Sequence, residues 1–423
     1  MTARSDIDRE MRTYFEARTT THPPVGLLDV SLAAVDRTRQ RPGWLIPEWW
    51  LLARISGRLT GPAHIAVRVA IVALLVALLL AFGILVGSRH RLPPPIGLAK
   101  PGLITFDLGG IFVVMPDGTG PRQLTPGPSD DRATWSPDGT AVAYESIQPD
   151  ATSNLMVMSA DGGRVVRLVD HLTNFGNIVW SADSRRVAVS GRIAGTVDDH
   201  LYLAWADGSG TTVLGGPDVT GQDPSFSPDG TEIAFKRVFP CLCRADALWL
   251  IGVDGSNLRE LWSQQGSGEY VQNALWNTAW SPDGKRLAFL GAGLDGRFDV
   301  YVINADGTDA RDITNSPEDE FWPAWSPDGT RIAFAWMGLP GNNQGELVVT
   351  DPDGSNPVHL PLGSPINSNT PVWSPDGTRI LAYSDPGGGS NDAIVMFDAT
   401  GKAPPYRIPA ANFTSATWQR LAP

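Results

Sequence analysis

One five-residue phrase recurs six times, and it restricts the possible folds more than any other feature of the chain. It reads Trp135-Ser-Pro-Asp-Gly139, Trp180-Ser-Ala-Asp-Ser184, Phe226-Ser-Pro-Asp-Gly230, Trp280-Ser-Pro-Asp-Gly284, Trp325-Ser-Pro-Asp-Gly329 and Trp373-Ser-Pro-Asp-Gly377, with successive aromatic positions 45, 46, 54, 45 and 48 residues apart. The phrase has the chemistry of a turn. Pro presets φ for the first corner of a type I turn, Asp tolerates the second, and Gly takes the left-handed conformation that closes a bulged hairpin. The aromatic residue therefore ends one strand. The apolar run after each turn, such as Ile233-Ala-Phe235 or Leu287-Ala-Phe289, begins the next. A third strand follows, as in Val300-Tyr-Val-Ile303. It leads into a second Asp-Gly turn, at Asp117-Gly118, Asp161-Gly162, Asp207-Gly208, Asp254-Gly255, Asp306-Gly307 and Asp353-Gly354. A fourth strand closes near Leu124, Leu168, Leu214, Leu261, Ile313 or Leu360.

Four antiparallel strands in roughly 45 residues is the unit of a β-propeller. The 45 glycines and 35 prolines suit such a chain of short strands and tight turns. The two ends set the blade count. Leu103-Ile-Thr-Phe106 reads as the second strand of a repeat that lacks its first, and Phe413 to Trp418 supplies a first strand with no repeat after it. Together they make one composite blade. The expected fold is all-β: a seven-bladed propeller, six whole blades plus one composite N/C-terminal blade, clasped by its own ends so that no sheet edge is left open.

The W-S-P-D-G-x-x-I-A-F pattern resembles the PD40, or TolB-like and WD40-like, propeller family, over about residues 100 to 420. The resemblance implies a binding propeller. TolB itself, as the family describes it, has six blades, its own N-terminal domain and no membrane anchor, so its Pal-binding role is not carried over.

Ahead of the repeats, Val69 to Val86 runs about 18 residues without a charge, enough to span a hydrocarbon core. The 68 preceding residues are too many for the n-region of a cleaved signal peptide. The expected layout is a cytoplasmic basic helical segment at 1–64, a transmembrane helix at 65–88, a Pro-rich linker at 89–101 and an exported propeller at 102–420. Charge agrees with two environments. Residues 1–99 carry 12 Arg against 7 acids, whereas the remainder carries 21 basic and 38 acidic residues. Basic residues flanking the span tie, and the ten Arg on its N-terminal side favour that end in the cytoplasm. The acidic domain repels phosphate, so no nucleic-acid partner is expected.

The loops entering each first strand carry Asp130, Asp131, Asn177, Gln222, Asp223, Asn277, Glu320, Trp322, Asn369 and Ser415. In propellers such loops gather around the central opening on one face. Converging polar and acidic groups there could hold a cation, a peptide amine or a cationic partner, or simply be solvated. The ligand-facing set is Asp131, Asn177, Asp223, Asn277, Glu320, Trp322, Asn369 and Ser415. The motif tryptophans read as packing between blades. Asp351-Pro-Asp353-Gly354 resembles a calcium loop, but Leu362 stands where the bidentate Glu would be, which favours a hairpin turn. Cys241 and Cys243 are too few for a disulfide framework and lack nearby ligands for a zinc site; they read as part of a local loop, with a strained local disulfide open to them outside the cytoplasm. No G-x-S-x-G elbow or P-loop occurs, and His171, His200 and His359 lie beside no evident nucleophile. No cofactor, metal or catalytic residue is expected, and the chain reads as a non-enzyme.

Two functions remain. One is an extracytoplasmic module that binds a protein, peptide or envelope ligand through one propeller face, anchored by residues 69–86. The other is a transmembrane sensor whose residues 1–64 bind a cytoplasmic protein. That layout looks like some membrane-bound anti-sigma proteins but lacks their His-x-x-x-Cys-x-x-Cys motif.

Overall fold

The computed structural model describes residues 97–238, 247–263, 277–292, 297–336, 345–361, 371–384, 393–408 and 415–421. By internal contacts the chain divides into Met1–Ser88 and Arg89–Pro423, and all described residues belong to the second unit. The expected membrane span, the N-terminal helices, Cys241, Cys243 and Asn369 lie outside the described residues.

Every regular element among the described residues is a β-strand. The strands pair antiparallel into five four-stranded sheets and one eight-stranded sheet, consecutive strands together except that the last strand joins the first sheet. The larger sheet consists of two consecutive four-stranded groups. They are bridged where Leu172 and Thr173, at the end of one outer strand, pair with Ile193 and Arg192. In each group the first strand ends at or just past the motif aromatic, as in Asp130–Trp135, Glu320–Trp325 and Val372–Trp373.

The motif folds as its composition requires. Gly139 sits at φ 71° and donates its amide to the carbonyl of Ser136 at 2.9 Å. The same bond recurs at Gly230, Gly284, Gly329 and Gly377. The aspartate does more than tolerate its corner. Asp138 Oδ1 accepts from Ser136 Oγ at 2.6 Å, Thr140 Oγ1 at 2.8 Å and the Thr140 amide at 3.0 Å. The buried Ser136 hydroxyl in turn accepts the Ala141 amide at 2.9 Å. Serine and aspartate thus satisfy the backbone groups a tight turn would otherwise leave bare.

The apolar residues of the second and third strands pack between neighbouring sheets. One cluster joins Ile111 and Val113 to Trp135, Val142 and Met158. Others join each following pair of sheets in sequence order, for example Leu248 and Leu250 with Leu287 and Phe289. The last joins Ile380's sheet back to the first, through Leu381, Ile394, Ile104, Phe106 and Trp418. The motif tryptophans belong to this packing and add a hydrogen bond. Trp180, Trp280, Trp325, Trp373 and Trp418 each donate Nε1 to a backbone carbonyl of the preceding group's first strand, at 3.1–3.3 Å.

Closure occurs as the composite blade requires. Ala416–Leu421 pairs antiparallel with Lys100–Asp107, with Ile104 opposite Trp418. Thr105 and Thr417 join hydroxyls at 2.6 Å, and Gln419 Nε2 reaches the Gly139 carbonyl at 2.8 Å.

Candidate functional site

The first strands converge on a channel of about 1020 Å³. Its wall takes the same short segment from one group after another: Asp131 to Thr134, Asn177 to Trp180, Asp223 to Phe226, Asn277 to Trp280, Trp322 to Trp325 and Ser415 to Thr417. One end carries Asp131, Asn177, Asp223, Asn277, Trp322 and Ser415. The other is floored by turn prolines, including Pro137, Pro228, Pro282 and Pro327, with Gly97 and Arg420. Arg420 Nη2 donates to the Gly97 carbonyl at 2.6 Å, and burial holds its guanidinium below its ordinary pKa. The mouth is therefore acidic and amide-rich, and the floor carries a cation.

The position that shapes the mouth lies three residues before each motif aromatic: Arg132, Asn177, Asp223, Asn277, Trp322 and Ser415. Strand register slips there, between Asp131 and Thr134, Gln222 and Ser225, and Phe321 and Ala324. At the slip Arg132, Asp223 and Trp322 adopt φ of 55°, 52° and 56°, and Asn277, equally placed before its aromatic residue, adopts 54°. A bulge of this kind re-aims a side chain. Left-handed backbone is uncommon for arginine and tryptophan, whereas asparagine and aspartate tolerate it.

A second tier of side chains supports the mouth from the second strands. Arg132 Nε pairs with Glu145 at 2.9 Å, and Ser153 donates to the other Glu145 oxygen at 2.5 Å. Burial raises the Glu145 pKa, and these two partners pull it back. Ser415 donates both its amide, at 3.1 Å, and its hydroxyl, at 2.6 Å, to buried Asp107. Asp223 Oδ1 accepts from Asn177 Nδ2 at 3.2 Å, while its Oδ2 is enclosed and receives no hydrogen bond. Burial pushes Asp223 up to about 6, against the pull of Lys236. Trp322 lies against Phe321, ring centroids 5.3 Å apart, and Phe321 against Phe298.

Of the residues expected at the mouth, Asp131, Asn177, Asp223, Asn277, Trp322 and Ser415 line the channel. Glu320 does not: it is 1% exposed and sealed beneath the wall. Gln222 is likewise turned away and donates to buried Asp199 at 2.6 Å. Asn369 lies outside the described residues. The sequence reading passed over Arg132, although its place three residues before Trp135 marks it. It also passed over the turn prolines, whose role as a floor follows only from ring geometry. Among the described residues no group of three or more His, Cys, Asp or Glu gathers to hold a metal ion.

No protein-family model matches the chain. An uncharacterized protein of Agrobacterium fabrum is 25% identical over 215 residues, 49% of this chain and 71% of its own length. The uncharacterized peptidase YuxL of Bacillus subtilis is 27% identical over 160 residues, 37% of this chain but only 20% of its own length. Among solved structures, oligogalacturonate lyase from Vibrio parahaemolyticus aligns at a TM-score of 0.55 and 17% identity, covering 73% of this chain and 90% of that one. Puromycin hydrolase aligns at 0.55 and 18%, covering 79% and 55%. TolB from Acinetobacter baumannii aligns at 0.49 and 15%, covering 77% and 81%. The chain is a β-propeller in fold, and at these identities the likeness concerns the fold alone.

The expectation of a non-enzyme is overturned. Structures of the same fold include a lyase and hydrolases, and one sequence relative is named as a peptidase. The physical reason is that a fold does not set its chemistry. Sites are grafted onto loops, and a missing G-x-S-x-G elbow excludes only one kind of nucleophile.

Proposed function

We propose that the chain is a membrane-anchored, extracytoplasmic binding module, a ring of seven blades that takes a protein, peptide or envelope ligand at its channel mouth. The pairing of strands into five four-stranded sheets and one eight-stranded sheet, read as two blades, supports seven. The observation that carries the binding reading is the repeated bulge. It holds Arg132, Asp223, Asn277 and Trp322 in left-handed backbone around one channel wall, a conformation that is strained for the arginine and the tryptophan. A left-handed residue kept at one position in blade after blade is expected where side chains must be presented rather than packed. The mouth offers amide and carboxylate acceptors and donors beside an indole, a surface suited to an extended polar chain with an apolar or cationic group. Anchoring through residues 69–86, with the N-terminus in the cytoplasm, follows from the apolar run and the ten preceding arginines.

Photocrosslinking in intact cells tests the site. A photoreactive side chain in place of Asn277, at the mouth, is expected to capture a ligand. The same group in place of Val213, exposed on an outer strand, is not. Equal capture from both positions, or none at the mouth, overturns the reading. A captured ligand is then assayed for bond cleavage, because the fold is shared with a lyase and hydrolases. Orientation is read separately, by a C-terminal reporter active only outside the cytoplasm.

A further inference from the structure

Several polar side chains of the channel wall face the opening as acceptors, because their donors are committed elsewhere. Ser415 gives its hydroxyl proton to Asp107 at 2.6 Å, so lone pairs are what it retains for a ligand. Asn177 turns Nδ2 to Asp223 Oδ1 at 3.2 Å, which directs its amide oxygen the other way. Asp223 accepts only, once ionised, and Lys236 favours that form. Its Oδ2 is enclosed and receives no hydrogen bond, and its Oδ1 has a second lone pair beyond the bond from Asn177. The carboxylate is thus under-supplied with donors at the edge of an open channel.

The guanidinium on this wall does not make up the deficit. Arg132 has a carboxylate of its own, with Nε on Glu145 at 2.9 Å. Trp322 adds an indole to the same wall, held against Phe321 with ring centroids 5.3 Å apart. An anion brought to Asp223 would set like charges together, and a neutral acceptor would leave lone pairs facing one another. The group that completes such a wall has several N–H donors, a positive charge and no lone pair. Ammonium and guanidinium groups have that composition, and an aromatic ring attracts both.

We propose that the channel mouth takes a cationic nitrogen group of a peptide, an ammonium or a guanidinium, with Asp223 as its counter-ion and Asn177, Ser415 and Trp322 around it. The proposal rests on the binding reading of the mouth given above and names the chemistry that the mouth selects. Asp223 Oδ1 accepts one N–H of the cation, and the Asn177 and Ser415 oxygens accept others. The charge-assisted bond to Asp223 is the strongest of these.

Calorimetric titration of the purified full-length chain with short peptides tests it. Gly-Lys-Gly and Gly-Arg-Gly capped at both ends, and Gly-Gly-Gly with a free amino terminus, present the three sources of the cation. Capped Gly-norleucine-Gly keeps the lysine stem without its charge. At least one cationic peptide is expected to bind saturably and about ten-fold or more tighter than the norleucine peptide, and the one that does so identifies the source. Asp223→Asn, which removes the charge and keeps the volume, should weaken that peptide about ten-fold or more. Trp322→Leu should weaken it several-fold. Asp353→Asn, on a turn that does not line the channel, should leave it unchanged. No saturable binding by any cation, equal binding by the norleucine peptide, or wild-type affinity in Asp223→Asn overturns the proposal. If photocapture at Asn277 persists in those cases, the mouth still binds and only the cationic class has failed. Loss of that capture as well removes the binding reading itself.

Discussion

Asp223 stands at the channel mouth with one oxygen on Asn177 and the other without a donor. Its carboxyl is raised from 3.8 to about 6 by burial. The folded state binds that proton more tightly than the unfolded chain does, so stability declines as pH rises from the unfolded value and the full penalty applies above about 6. Asp223→Asn copies the neutral form. It is expected to stabilise the protein by on the order of 1–2 kcal/mol at neutral pH, after allowance for partial solvent screening. The gain should vanish below about pH 4, where both states are protonated. Thermal melts of the two proteins across that range check it. The same variant is expected to bind the mouth ligand more weakly. A substitution that gains stability while losing binding separates a functional carboxylate from a structural one. The second-turn aspartates behave oppositely. Hydrogen bonds from Thr119, Ser256 and Thr308 hold Asp117, Asp254 and Asp306 below their ordinary range. Their contribution is present above the unfolded value and is lost as pH falls through the folded one.

At the scale of the hairpin, two glycines separate backbone strain from collision. Gly284, in a motif turn, has φ 69°, and the nearest atom to an added Cβ is Pro228 Cδ at 3.7 Å, an ordinary contact. Gly284→Ala should therefore lose only the left-handed backbone preference, about 1–2 kcal/mol. Gly354, in a second turn, has φ 84°, and its added Cβ would fall on the carbonyl oxygen of Ile313 in the neighbouring group. Gly354→Ala adds that collision to the strain and should cost clearly more, with the two proteins compared by denaturant midpoint. The turn glycines were legible in the sequence because each local hairpin demands them. The collision was not, since Ile313 approaches Gly354 only through blade packing.

Across the whole molecule, the last strand closes the ring. Trp418 is 5% exposed, packs with Ile104 and Phe106, and donates its indole to the Val372 carbonyl. Trp418→Ala should cost about 3–5 kcal/mol through the cavity it leaves. Removal of residues 411–423 takes away the whole strand paired with Lys100–Asp107 and bares a sheet edge. That chain is expected to lose its single cooperative melt and to associate, as read by calorimetry and light scattering. Both variants weaken the junction between the first and last sheets, so the truncation should be the more severe of the two.

Six copies of one turn phrase were enough to establish an all-β repeat, the hairpin chemistry, and the pairing of Leu103–Phe106 with the strand around Trp418. Those features are local or periodic, and a chain displays its own periods. Most of the mouth residues were also visible, because they precede the motif at constant spacing. Only the tertiary structure separated Glu320, sealed on Asp299, from Trp322 two residues later on the channel wall. Alternation along an ideal strand would put both on one face, but the slip between Phe321 and Ala324 and the left-handed turn at Trp322 break that alternation. Arg132 meets Glu145 on the next strand of its own group, so that pair is local, whereas Ser415 caps Asp107 only because the last strand returns to the first. Contacts of the second kind belong to the closed assembly, and no single repeat encodes them.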